Sequence, residues 1–137
     1  MELAMDEGRK AGEDEYKIGA IIVKGEEVVA KSPARARADV DPTQHAEVAA
    51  IRLACKSLGS RHIDGCVLYT THEPCSMCTA AAVWAKLDGI IYGATNQDMR
   101  DKGWRLIELD PAMILENASS PKLFLVKEFM REECKRL

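Results

Sequence analysis

The sequence predicts one α/β layered domain spanning residues 1–137, and three observations carry that expectation. Short β-branched apolar runs alternate with helical patterns along the chain. Two of the helical patterns open beside metal-binding residue types. No internal repeat, low-complexity tract or linker divides the chain, and 137 residues suffice for a single buried core.

Glu2 to Ala11 reads as a short helix, with Leu3 and Met5 among helix-favouring residues and Gly12 as its terminator. Ile18-Gly19-Ala20-Ile21-Ile22-Val23 is a strand. Lys24-Gly25-Glu26 turns the chain, and Glu27-Val28-Val29-Ala30 returns as the antiparallel partner. Ser32 to Val40 is a polar loop holding Arg35 and Arg37. Asp41 as N-cap, Pro42 at the first helical position and Gln44 closing a capping box predict the next helix, with Ala46, Ala50, Leu53 and Ala54 on its apolar face and Gly59 as its stop. Cys66 to Thr70 is a strand, Cys75 to Lys86 an alanine-rich helix, and Asp88 to Gly93 a strand again. The stretch from Ala94 to Leu109 has no clear period. Pro111 opens a further short helix. Leu123 to Val126 is a last strand or the entry to the final helix, which carries Phe129, Met130 and Cys134 toward the core. The helices after Asp41 and Pro74 should pack on one sheet with their N-termini facing the same end.

Composition excludes several classes. Hydrophobic residues make up 47% and charged residues 30% of the chain, as in ordinary globular domains. No apolar run approaches the roughly 20 residues that cross a bilayer, so no membrane partner is expected. The acidic start, Met1 to Glu7, lacks a signal-peptide apolar region, which places the protein in the cytoplasm. A formal charge of −3 weighs against a dedicated nucleic-acid binder. Five cysteines, of which only Cys75 and Cys78 are close together, fit a reduced protein with one metal site better than a disulfide framework.

The chemistry concentrates in His45-Ala46-Glu47 and in Glu73-Pro74-Cys75-Ser76-Met77-Cys78. Cys75 and Cys78 share a face at a helix start, where free N–H groups and the helix dipole favour thiolate. With His45 they make three donors for zinc and leave one tetrahedral corner for water. Glu47, two residues after His45, would diverge from it by roughly 200° on a regular helix, yet near a helix start it can flank that corner and move a proton. Two blander readings stand beside this one. The cysteine pair can be a redox couple, although no thioredoxin-like sequence surrounds it. It can also belong to a four-ligand structural zinc site, with His72, Cys66 or Cys55 as the fourth donor.

At these residues the chain resembles the zinc-dependent cytidine/deoxycytidylate deaminase superfamily, whose signature is H-x-E…P-C-x-x-C. Asp41 to Glu47 is similar to the run before the zinc histidine in bacterial guanine and tRNA-adenosine deaminases. Glu73 to Cys78 matches their second motif, and Val48 to Arg52 and Trp84-Ala85 look like the guanine deaminase branch. The resemblance implies a three-layer α/β/α cytidine-deaminase-like domain with a central mixed sheet, hydrolytic loss of ammonia, Zn2+ as cofactor and a homodimer. It implies that His45, Cys75 and Cys78 bind the metal, that Glu47 shuttles protons, and that the N–H groups of Ala46 and Cys75 lie near the substrate.

The departures concern the substrate. Relatives carry a base-reading Asn in the loop after the hairpin, where this chain has Ala34, and Lys17-Ile18-Gly19 replaces a common Pro-x-Gly. Where the guanine deaminases place an acidic pair, Gly103-Trp104-Arg105-Leu106 stands; Asp98 and Asp101 are substitutes if they are not simply solvated, and Trp104 caps the pocket if it is not simply a packed aromatic. Trp84 completes the candidate substrate-contacting residues. The leading expectation is a deaminase of a free amino-substituted heterocycle of guanine or cytosine type. Deamination of adenosine in a tRNA loop is the alternative, and a non-catalytic structural-zinc or RNA-binding module is a third.

Overall fold

The computed structural model describes residues 1–104, 107, 109–119 and 122–137. Arg105 and Leu106, noted in the sequence above, lie outside the described residues. The elements run α1 (Glu2–Arg9), β1 (Gly19–Lys24), β2 (Glu27–Pro33), α2 (Ala46–Leu58), β3 (Cys66–His72), α3 (Ser76–Trp84), β4 (Gly89–Ala94), α4 (Asn96–Asp101), α5 (Pro111–Asn117), β5 (Phe124–Val126) and α6 (Arg131–Cys134).

The strands form one mixed sheet in the order β2-β1-β3-β4-β5. β1 is antiparallel to both β2 and β3, whereas β3, β4 and β5 run parallel. Residue alternation along β1 separates the two faces. Ala20 and Ile22 join Leu68, Ile90, Ala46, Ala50, Ala54 and Ala82 in the main core, beneath α2 and α3. Gly19 faces the other way, and a Cβ there would overlap the Ala4 carbonyl and the Gly8 amide of α1. On that same side Cys134 of α6 packs against Gly93. Helices therefore cover both faces, and the domain is the three-layer α/β/α arrangement with a central mixed sheet.

Two local expectations are corrected, and one that the sequence left open is decided. Asp41 does not cap a helix: its Oδ1 accepts from the Thr43 amide and hydroxyl, so residues 41–44 form a turn. Helix α2 begins at Ala46, with His45 as its N-cap. Pro42 and Gln44 thus lead into the helix from outside, because the short-range bond offered by Asp41 competes with the first helical turn. At the C-terminus, Leu123 to Val126 supplies a true strand beside β4 through Phe124–Val126. Phe129 does not reach the core; it is exposed, while Cys134 is fully buried.

Candidate metal centre

Two segments 30 residues apart converge at the N-termini of α2 and α3. His45 and Cys75 are the N-caps, both in extended backbone (φ −67°, ψ 151° and φ −65°, ψ 171°), and neither side chain bonds back to its own helix. A Ser or Asn at such a place would satisfy a first-turn N–H. Here the imidazole and the thiol project away from their helices and meet. Cys78, one turn into α3, completes the group.

The distances test whether zinc fits. His45 Nδ1 lies 3.6 Å from each sulfur, and the two sulfurs are 3.5 Å apart. A tetrahedral zinc with bonds of about 2.3 Å to sulfur and about 2.05 Å to nitrogen has edges of about 3.8 Å between sulfurs and about 3.6 Å from nitrogen to sulfur. The three donors already span one face of such a tetrahedron, so they fit the ion. Among the described residues no fourth protein donor joins them. Cys66 is sealed in the core, the Cys55 thiol donates to the Arg61 carbonyl, and the His72 ring bonds Thr71.

The electrostatics of the cluster suit a cation. The Cys75 thiol is pulled down to about 4 by the bond from Cys78 and by His45, against the opposing effect of burial. Cys78, which donates that bond and is almost wholly enclosed, is pushed up; a metal cation beside it would hold it as thiolate. His45 is raised, chiefly by its bond to Cys75.

Glu47, in the first turn of α2, is 2% exposed, and its Oε2 has no partner among the described residues. Burial raises its carboxyl, partly offset by its own backbone N–H and by His45. The extended N-cap resolves the spacing problem, because His45 is not yet helical and the helical divergence between positions i and i+2 does not separate it from Glu47.

The remaining candidates fall in different places. Ala46 is fully buried at the start of α2, and Ala34 is buried with its N–H donated to the Ile18 carbonyl. Asp98 is neither solvated nor free. It closes the capping box of α4 with Thr95 and takes two bonds from Arg131, at 2.9 Å each. Trp104 packs between Tyr16 and His72. Trp84 is 79% exposed at the far end of α3. It lines an open apolar groove of about 1170 Å³, with Ile51, Cys55, His62, Ala81 and Met113, that none of the three metal-binding candidates borders. Two residues near the cluster carried no functional reading beforehand. Glu15 accepts from the Arg37 and Ala38 amides and acts on His45 through its charge. Tyr16 lies beneath Arg37, 6.0 Å from the guanidinium carbon to the ring centroid. Only tertiary packing brings them in.

Comparison with known proteins agrees with this geometry. A tRNA-specific adenosine deaminase of Agrobacterium fabrum is 50% identical over 95 residues, covering 69% of this chain and 62% of that protein. A guanine deaminase of Bacillus subtilis is 44% identical over 86 residues, covering 63% of this chain and 55% of that protein. The matches thus span little more than half the length of these relatives. The crystal structure of the B. subtilis guanine deaminase superposes with a TM-score of 0.72 at 34% identity, over 88% of this chain and 74% of that one. The family model described as the cytidine and deoxycytidylate deaminase zinc-binding region matches residues 1–94, which contain both motifs, and the chain belongs to that family.

Proposed function

We propose that the protein is a zinc-dependent hydrolytic deaminase of a free amino-substituted heterocycle, of guanine or cytosine type. The observation that carries this is Glu47 Oε2: a buried carboxylate oxygen that, among the described residues, has no partner and stands beside three donors that no fourth protein ligand joins. A structural zinc site would be closed by four protein ligands, and a buried carboxylate with an unpartnered oxygen would only destabilise it.

His45, Cys75 and Cys78 would hold the ion. When bound, zinc lowers the pKa of a water at its open corner toward about 7 and so supplies a nucleophile at neutral pH. Glu47 takes the proton that this water gives up. The same carboxyl returns a proton to the amine nitrogen as the ring carbon exchanges its C–N bond for C–O and ammonia leaves. Burial favours the protonated form of Glu47 and brings its affinity for protons closer to neutral pH, where a carrier can both accept and donate.

Two features favour a small substrate over tRNA. The net charge is −3, and Arg35, one of two arginines in the loop before the site, is bound by Asp39 through two hydrogen bonds. The 50% identity to a tRNA-specific adenosine deaminase supports the second reading, deamination of adenosine in a tRNA loop. Ammonia release is the deciding assay, over guanine, cytosine, adenine, their nucleosides, triazines and a tRNA loop bearing adenosine. Turnover of a free base with none on the RNA supports the first reading; the reverse result replaces it with the second. The same reading includes a homodimer that covers the apolar groove around Trp84, and cytoplasmic residence.

A further inference from the structure

Among the described residues three buried side-chain atoms lack a hydrogen-bond partner: Glu47 Oε2, Thr70 Oγ1 and His72 Nε2. They are not scattered. Thr70 and His72 alternate with Leu68 along β3, and Leu68 packs in the core beneath α2 and α3. His72 ends the strand three residues before Cys75. Glu47 stands in the first turn of α2 beside His45, and His72 stands three residues before Cys75, so two of the three unsatisfied groups lie close along the chain to the metal-binding candidates. An unsatisfied buried donor is costly unless something else fills it.

The proton on His72 can be placed. Thr71 Oγ1 accepts the Gly19 amide at 3.1 Å and lies 2.8 Å from His72 Nδ1. The arrangement that uses every group has the Thr71 hydroxyl donating to Nδ1, which leaves the hydrogen on Nε2. Burial and, after it, Lys102 hold the imidazole down to about 3, so the ring is neutral at working pH. Its plane is also fixed: Trp104 stacks on it with centroids 5.6 Å apart and 20° between planes, and Tyr16 in turn packs on Trp104 at 4.1 Å. Exposure rises along this stack from His72 at 2% to Tyr16 at 44%.

We propose that His72 is the base-reading donor of this protein, its Nε2–H taking an oxo oxygen of the bound heterocycle at a carbon other than the one that loses its amine. This rests on the free-base reading above and specifies it. Deleting a buried donor that a ligand oxygen needs costs about ten- to a hundredfold in affinity.

The test measures binding of two pairs of bases to the zinc-loaded protein by titration calorimetry, every protein carrying Glu47→Gln so that the bases are bound without being turned over, and wild type below meaning His72 intact. Guanine is compared with 2-aminopurine, and cytosine with 4-aminopyrimidine; within each pair the amine is shared and one oxo group differs. Wild type should bind the oxo member of one pair at least tenfold more tightly. His72→Leu should keep its zinc and its affinity for the partner lacking the oxo group, and lose the preference. His72→Gln, whose amide nitrogen reaches toward the Nε2 position, should recover most of it. Should the Leu variant fail to fold, His72→Asn replaces it, because its amide reaches only the Nδ1 position. A preference that survives in His72→Leu, or an equal loss for both members of a pair, overturns the proposal and makes Nε2 a structural or water-bound group. Failure of wild type to bind any of the four bases overturns the free-base reading itself and this proposal with it.

Discussion

Glu47 is a buried carboxylate that its surroundings satisfy only in part. Among the described residues one of its oxygens has no partner, and it stands in the first turn beside His45. Glu47→Gln keeps the shape and removes the proton carrier. The variant should retain one zinc per chain by elemental analysis while deamination falls by about 10²–10⁴-fold; wild-type turnover would remove Glu47 from the chemistry. His72 makes a second prediction at this scale, on stability. Its folded pKa of about 3 is depressed, so the unfolded chain takes up a proton first as pH falls. The stabilisation is fully present above the ordinary histidine value of about 6.5 and is lost as pH drops toward 3. At pH 5 the loss amounts to about 2 kcal/mol. Urea titrations of wild type at pH 7.5 and pH 5 should show it, and the His72→Gln variant should lack that part of the slope.

At the scale of elements, the helix starts decide where function lies. α2 and α3 both begin on residues that are poor caps, His45 and Cys75, whereas α4 begins on a complete capping box. That contrast has a physical meaning: the first two starts leave their side chains uncommitted to the helix and available to a ligand, and the third uses its side chains for folding. Asp98 belongs to folding. The Arg131 guanidinium beside it holds its carboxyl well below the usual carboxylate range, so the stabilisation exists above the ordinary carboxylate pKa and is lost as pH falls through the folded value. Asp98→Ala should cost about 1–2 kcal/mol from the cap alone, measured by denaturant unfolding, with the affinity for bases unchanged. A selective loss of base affinity would return Asp98 to the pocket. In the sequence Asp98 looked like a free acid in an irregular stretch. Arg131, 33 residues later, claims it, and no local pattern announces so distant a partner.

For the whole molecule, the metal cluster ties α2 to α3 across the top of the sheet, so binding the ion should stabilise the fold. Removing it with a chelator should lower Tm by several degrees, reversibly on adding zinc, and the Cys78→Ala variant should show no such response. A chelator-insensitive Tm in wild type would mean that the ion is not held there. On the opposite end of α3, Trp84 and the groove beside it present apolar surface that a second copy would bury. Trp84→Glu should convert a dimer to a monomer in light scattering; a wild-type protein that is already monomeric rejects the pairing.

The amino-acid sequence by itself determined the alternation of strands and helices, the three candidate metal donors and the carboxylate beside them. Those follow from short-range patterns: β-branched runs, helix starts, and thiols three positions apart. It located α2 one turn too early, because the turn closed by Asp41 imitates a helix cap. Only the tertiary structure decided how His45 and Glu47 can serve one site, which acid is tied up by Arg131, and that His72 lies buried under Trp104 with an unsatisfied nitrogen. Each of these depends on atoms brought together from distant parts of the chain by the packing of helices on a sheet, and such contacts leave no trace in residue spacing.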